Sequence, residues 1–247
     1  MKYVYYNNII YILQENCSST TYLEQTILNE ESLEIILQKT GIKTIDFSNI
    51  NEPVKKLDID YIIYNDDIVK LPNSLEILKC KINVRTNNTK ITKFPDNIKQ
   101  LDVIWYTSNY QDKIIFPSNL ETLKIKISKP ITFENFPNTL KILDLSGDCR
   151  IYYEKLPDSL EIIYLDDEFN RPTDIFSKCK NLKKISFGKN FNKSIKFLPD
   201  SVEEIELGTL FCQKIAKIPS SLKSIKFHKK HATYYKFIQD FPHITIL

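Results

Sequence analysis

The side chains here whose chemistry could go beyond packing are three histidines, five cysteines, an acidic triplet and a run of lysines. His228, His231 and His243 all fall near the C-terminus. None is spaced to pair with a serine or cysteine in a nucleophile motif. "HKKH" (228–231) carries two imidazoles that could hold a metal weakly, but with two lysines between them it reads as a solvated loop. "DDE" (166–168) offers carboxylates to a divalent cation. It lacks the alternating ligand spacing and the glycine of a calcium loop, so an exposed turn is expected. Cys17, Cys80, Cys149, Cys179 and Cys212 are odd in number and widely spaced, with no C-x-x-C, which argues against a disulfide framework or a zinc knuckle. Reduced thiols imply a cytoplasmic protein, with the nucleus as the alternative. Glycine occurs four times in all, which argues against a phosphate-binding loop. No catalytic residue, metal ligand or cofactor is assigned, and the expectation is a protein that is not an enzyme.

The lysine run is harder to dismiss. Residues 175–199 contain Lys178, Lys180, Lys183, Lys184, Lys189, Lys193 and Lys196, with no acid among them and Phe187, Phe191 and Phe197 interleaved. Nucleic-acid binding needs such cations on one face. The net charge of +3 does not by itself mark a nucleic-acid protein. No apolar run approaches membrane-spanning length, and no small-residue cleavage site follows the N-terminal "MKYVYYNNIIYIL".

What positions these residues is a repeat. "LPNSLEILKC" (71–80), "FPSNLETLKI" (116–125), "FPNTLKILDL" (136–145) and "LPDSLEIIYL" (156–165) share one pattern. From each proline, taken as position 0, apolar residues follow at +3, +6 and +8. Pro72 leads to Leu75, Leu78 and Cys80; Pro95 to Ile98, Leu101 and Val103; Pro199 to Val202, Ile205 and Leu207; Pro219 to Leu222, Ile225 and Phe227. Cys179 takes the place of proline before Leu182, Ile185 and Phe187. Val54-Leu57-Ile59 and Ile244-Leu247 are weaker copies. The period is about 20–23 residues, which is the leucine-rich-repeat range. The closing L-x-L alternates with period two, so it forms a short strand with one buried face. One such strand cannot bury that face alone; stacked copies form a parallel sheet over a continuous core. Phe94, Phe116, Phe136, Leu156, Leu198 and Ile218 supply inward residues from the return legs. No leg carries a long 3.6-residue period, so turns and extended pieces are expected there. A basic run of this length circles the whole cross-section, which scatters the lysines over several faces. Trp105 continues the buried alternation beyond its strand, at the core edge, and Cys80 and Cys179 are small core hydrophobes.

"FGKNFNKSIKFLPDSVEEIEL" (187–207) and "EFNRP" (168–172) resemble the FNIP variety of leucine-rich repeat, found largely in amoebae and amoeba-infecting giant viruses. The resemblance covers roughly residues 54–247. Its Phe-Asn pair is clear only at Phe169-Asn170 and Phe191-Asn192. "FSKCKNLKKISF" (176–187) is similar to the cysteine-containing repeats of other leucine-rich proteins. These resemblances imply a binding scaffold without a catalytic site. The predicted fold is an α/β or mostly β solenoid of about nine repeats over 54–247, with mostly non-helical return legs. Residues 1–53 form its N-terminal cap: "KYVYY-NN-IIYIL" as a hairpin, then a helix within "SSTTYLEQTILNEESLEIILQKTG" (18–41).

The outward positions carry a second pattern. At +4 the residues run Lys55, Glu76, Lys99, Glu121, Lys141, Glu161, Lys183, Glu203 and Lys223, alternating in sign throughout. With strands about 4.8 Å apart, each charge gains opposite neighbours, and slippage by one repeat would juxtapose like charges. The +7 column alternates from Asp58 to Asp144 and then changes to Tyr164 and Ser186. Beside it, Ile142 and Ile162 point outward at +5. Ile142, Ile162 and Tyr164 are therefore expected to form an apolar patch on the concave sheet, with Lys184 and Asp166 as its polar rim. The function expected is a scaffold that recruits a protein partner through this face. The alternatives are a nucleic-acid-associated accessory subunit using residues 175–199, and a ubiquitin-ligase substrate adaptor docking through residues 1–53. No membrane partner is expected. "HATYYKFIQDF" (231–241) is expected to fold back as a cap that keeps the chain monomeric; otherwise the C-terminal edge would pair with another chain.

Overall fold

The computed structural model describes residues 2–6, 9–13, 21–22, 33–38, 45–46, 54–64, 71–84, 91–107, 113–127, 136–145, 156–229 and 232–247. The strands are β1 (Lys2–Tyr6), β2 (Ile9–Leu13), β3 (Thr21–Tyr22), β4 (Leu33–Gln38), β5 (Ile45–Asp46), β6 (Val54–Tyr64), β7 (Ile77–Val84), β8 (Ile91–Lys93), β9 (Gln100–Thr107), β10 (Lys113–Ile115), β11 (Thr122–Ile127), β12 (Ile142–Asp144), β13 (Ile162–Tyr164), β14 (Lys184–Ser186), β15 (Glu204–Leu207), β16 (Ser224–Phe227) and β17 (Thr245–Ile246). A 3-10 turn covers Thr173–Phe176, and α1 covers Ala232–Asp240. The chain forms two compact units, Met1–Glu121 with Ile127–Ile131, and Thr122–Lys126 with Thr132–Leu247.

The first unit pairs its strands in the order β1-β2-β4-β6-β7-β9. β1 and β2 run antiparallel, as the hairpin reading expects; the Asn7-Asn8 turn itself lies outside the described residues. The next pairings, β2-β4, β4-β6, β6-β7 and β7-β9, are all parallel. β4 corrects one expectation. "LEIILQ" is a strand paired on both sides, not part of a helix. Its adjacent Ile35 and Ile36 suit a pleated surface, and parallel neighbours satisfy its backbone on both edges. The remainder of the expected helix, 18–20, 23–32 and 39–41, lies outside the described residues. Two short parallel pairs, β8 with β10 and β3 with β5, supply extended pieces between the main strands.

The second unit is ordered β11-β12-β13-β14-β15-β16-β17, parallel throughout. It is a solenoid in which each turn of chain adds one short strand. Every described repeat opens with the same reverse turn. The position-0 carbonyl accepts the +3 amide: Pro137 to Leu140 at 3.1 Å, Pro157 to Leu160 at 3.2 Å, Cys179 to Leu182 at 3.1 Å. The turn uses this carbonyl and not the ring, so Cys179 can replace proline. Strand-to-strand pairing starts at +4, where one carbonyl accepts two amides of the next repeat. Lys141 accepts from Glu161 (2.8 Å) and Ile162 (3.0 Å), and Lys183 from Glu203 (2.8 Å) and Glu204 (3.0 Å).

The motif residues at +3, +6 and +8 are buried from Leu75 to Ile225, and so are Phe94, Phe116, Phe136 and Leu198 of the legs. Leu156 and Ile218 are half-buried. Trp105 is fully buried, and its Nε1 finds no acceptor among the described residues. The Phe-Asn pairs have a clear physical role. Phe169, Phe191 and Phe211 stack in a column with centroids 5.9 Å apart at each step. The Asn170 side-chain oxygen accepts the Asn192 amide (2.9 Å), and the Asn192 oxygen accepts the Cys212 amide (3.0 Å). The ring fills the core while the amide oxygen satisfies the backbone of the next leg. Serines at +2 bind backwards: Ser159 Oγ donates to the Leu140 carbonyl (2.7 Å), and Ser201 Oγ to that of Leu182 (2.9 Å).

Two features differ from the expected pattern at the C-terminus. The last return leg is helical: α1 buries Phe237, whose ring lies 5.5 Å from Phe227. β17 is displaced by one residue, so Ile246 stands beside Ile225 and Leu247 is 67% exposed. The turn from Phe241 to Ile244 keeps the motif phase (3.2 Å), and the slip begins where the Thr245 amide binds the Lys223 carbonyl (3.0 Å).

Gly188 and Gly208 mark a column with no room for side chains. A Cβ on Gly188 would lie 2.0 Å from the Asp166 carbonyl oxygen, and one on Gly208 would lie 1.9 Å from that of Gly188. Both obstacles are backbone and cannot rotate away. Gly188→Ala should therefore cost about 1–3 kcal/mol, as overpacking does. Urea unfolding measures this, and an unchanged midpoint would show that the two legs are not packed so closely.

Candidate functional site

The parallel register brings the expected patch together. Ile142, Ile162 and Lys184 are successive partners on β12, β13 and β14, as are Asp144, Tyr164 and Ser186 on the neighbouring outward row. The side chains flanking β13's buried Ile163 are half-exposed. Ile142, Ile162 and Tyr164 thus share one face of the sheet, opposite the core.

Within each unit the +4 and +7 positions carry paired charges. At +4, Lys99 lies 2.9 Å from Glu76, with Lys55 3.7 Å away on the other side; Lys183 lies 3.2 Å from Glu161, and Lys223 also pairs with Glu203. At +7, Lys79 pairs with Asp58 (3.0 Å) and Lys124 with Asp144 (3.9 Å). That column resumes beyond Ser186, because Lys226 meets Glu206 at 2.7 Å. The expected end of the column is therefore a gap, filled by Tyr164 and Ser186. Carrying the +7 count two repeats further would have found Glu206 and Lys226.

One rim assignment changes. Asp166 was expected at the exposed edge and is instead only 2% exposed. Its Oδ1 accepts the Glu168 amide (2.8 Å), and its carbonyl accepts the Phe169 amide (3.2 Å), so the carboxylate holds the turn into the leg. Asp167 and Glu168 stay exposed but serve the next leg. They accept from the Lys189 amide (2.8 Å) and the Asn190 side chain (3.2 Å). Lys184 does stand beside the patch, bound to Glu204 at 3.0 Å. The Glu204 hydrogen bond raises its pKa, against a lowering by burial.

Below the patch along the strands lies a concavity of about 250 Å³, lined by Tyr164, Ser186, Gly188, Glu206, Gly208 and His228 among others. The glycine column forms part of its wall, for the steric reason given above. Glu206 is its most connected group, receiving Ser186 Oγ (3.1 Å), Lys226 Nζ (2.7 Å) and His228 Nε2 (2.8 Å). Burial raises its carboxyl pKa, but the bonds from Lys226, His228 and Ser186 outweigh this and hold it below the ordinary value. His228, read as part of a solvated loop, is exposed but tied to this carboxylate. His231 lies outside the described residues, as do Cys17 and Cys149. Burial pushes the Cys179 thiol up to about 11 and the Cys80 thiol up as well, so neither is a ready nucleophile. Among the described residues no group of three His, Cys, Asp or Glu side chains comes together, and no helix is long and apolar enough to cross a membrane.

Residues 179–210 match the family model of the FNIP repeat. The fold is that of a leucine-rich-repeat protein. Among solved structures the chain is similar to CroV588, a circular LRR protein of a giant virus, with 22% identity and a TM-score of 0.57. The match covers 92% of this chain and 38% of CroV588, so the chain spans under half that protein's length. A leucine-rich repeat protein from Bacteroides ovatus aligns over 100% of this chain and 97% of its own, at 14% identity and a TM-score of 0.23. No curated protein has a detectably similar sequence. The FNIP match contains Phe191 and Asn192, the middle members of the phenylalanine stack and of the asparagine bridges.

The charge columns yield two predictions. Glu161→Lys places a third cation between Lys141 and Lys183. It should cost about 1 kcal/mol at low salt and less at high salt. Reversing Lys141 and Lys183 in that background should recover most of the loss, and a single variant that melts like wild type at low salt would contradict the register. Glu76, Glu203 and Glu206 are all held below the ordinary carboxylate pKa, the first two chiefly through hydrogen bonds from Lys99 and Lys223. A depressed carboxylate stabilises the fold above its unfolded-state pKa and loses that effect as pH falls through its folded-state pKa. The urea midpoint should therefore drop between about pH 6 and about pH 3, and Glu206→Gln should shrink the drop.

Proposed function

We propose that the chain is a non-enzymatic interaction scaffold that docks a protein partner on the concave sheet of its second unit. Ile142, Ile162 and Tyr164 are the apolar anchors, and Lys184 with Glu204 forms the charged rim. One observation carries this reading. Among the described residues of the second unit, the +7 column pairs Lys124 with Asp144 and Lys226 with Glu206 and is interrupted at Tyr164 and Ser186, where Ile142 and Ile162 stand on the neighbouring outward row. A half-exposed apolar strip bounded by satisfied charges suits a partner that buries an apolar side chain there and directs a polar group towards Ser186 and Glu206. The free cysteines Cys80, Cys179 and Cys212 support a reducing, cytoplasmic setting. The strands at 2–6, 9–13 and 33–38, the last paired with β6, support a cap role for residues 1–53 over a separate docking module.

The test is affinity capture from a cell lysate with wild type and with Ile162→Ser/Tyr164→Ala. The double variant should lose its specific partner while its thermal midpoint stays nearly unchanged, because outward side chains contribute little to the core. Full capture by the variant would refute the site.

A further inference from the structure

The lysines of this unit fall into two populations. Those on the strands, Lys183, Lys184, Lys223 and Lys226, each meet a carboxylate. Those on two consecutive return legs do not. Residues 189–199 and 209–219 contain no acid, and their Lys193, Lys196, Lys214 and Lys217 are all exposed. None of these four makes an ion pair among the described residues. The exposed acids nearest these legs are Asp167, Glu168 and Asp174 in the preceding leg and Asp200 just after residue 199. Asp167, Glu168 and Asp200 accept hydrogen bonds from the Lys189 amide, the Asn190 side chain and the Ser220 amide, and no ion pair joins any of these acids to the four lysines among the described residues. The legs are held together by the Phe191–Phe211 stack and by the Asn192 oxygen on the Cys212 amide (3.0 Å), so Lys193 and Lys196 run alongside Lys214 and Lys217.

One aromatic ring stands among these cations. Phe187 and Phe191 are buried in the core stack, but Phe197 is 48% exposed, with Lys196 Nζ 4.5 Å from its ring centre. The basic run therefore does not scatter evenly over the cross-section. Lys183 and Lys184 at its strand are paired with Glu161 and Glu204, while Lys193 and Lys196 lie exposed on a leg adjoining the one that carries Lys214 and Lys217, with Lys196 over the half-exposed Phe197 ring.

We infer that the outer surface of these two legs binds single-stranded nucleic acid. Lys193, Lys196, Lys214 and Lys217 would contact phosphates, and Phe197 would stack on an unpaired base. Uncompensated cations supply the affinity for a phosphate backbone. The exposed ring favours a single strand, since the bases of a duplex are already stacked on one another. This surface belongs to the return legs, whereas the concave strip belongs to β12 and β13, and the inference is independent of the protein-docking proposal.

Anisotropy of a fluorescein-labelled oligo-dT, titrated with the full chain across a KCl series, tests the inference. Four phosphate contacts predict a slope of log K against log salt of about −3, from about −0.7 per phosphate. Replacing the four lysines with alanine should weaken binding more than about tenfold and flatten the slope. Phe197→Ala should weaken binding about tenfold at any one salt concentration and leave the slope unchanged. Urea midpoints check folding, and if the quadruple variant unfolds, Phe197→Ala and the wild-type slope decide. The inference is overturned if wild type fails to bind at low salt, or if the quadruple variant binds as wild type does. Equal or tighter binding to duplex DNA, polyglutamate or phosphatidylserine vesicles would also overturn it.

Discussion

A strand of three residues cannot exist by itself, and everything else in this protein follows from that. β12, β13 and β14 are each three residues long, with one inward side chain apiece. Their backbone groups and apolar faces are satisfied only by the repeats above and below. The shared +4 carbonyl makes this dependence concrete, because it takes two amides from the next repeat at once. Register is therefore the quantity the sequence must specify, and most of its regularities specify it.

Each column of equivalent residues performs one part of that task. The phenylalanines fill the core of the legs. The asparagines beside them and the serines at +2 occupy backbone groups of the adjacent repeat. Gly188 and Gly208 let successive legs approach until backbone meets backbone. The acids and lysines of the strands neutralise one another. The pattern is interrupted in two places: the +7 charges give way to Tyr164 and Ser186 beside Ile142 and Ile162, and on the legs Lys193, Lys196, Lys214 and Lys217 form no ion pair among the described residues.

The inward residues were legible because their spacing repeats and burial follows period. The alternating charges at +4 were legible for the same reason, and the register that pairs Ile142 with Ile162 and Lys184 follows from it. Features that serve a neighbouring repeat were not. Asp166 looked like one of three solvated acids, yet it is buried because its carboxylate caps its own turn. His228 looked like half of a solvated pair, but its partner is Glu206, one repeat earlier. "LEIIL" has both the apolar content of a helix and the branched residues of a strand, and parallel neighbours decide between them. The helix at 232–240 went unread because its aromatic cluster suggested a cap and not a period.

The sign alternation at +4 also bears on how such a chain could lengthen. Duplicating one repeat would set two like charges side by side at the new junction, whereas duplicating two would reproduce the sequence of signs without a fault. Deletion follows the same arithmetic. The structure thus carries a parity: its natural unit of gain or loss is a pair of repeats, one acidic at that position and one basic, although each folds as a single turn.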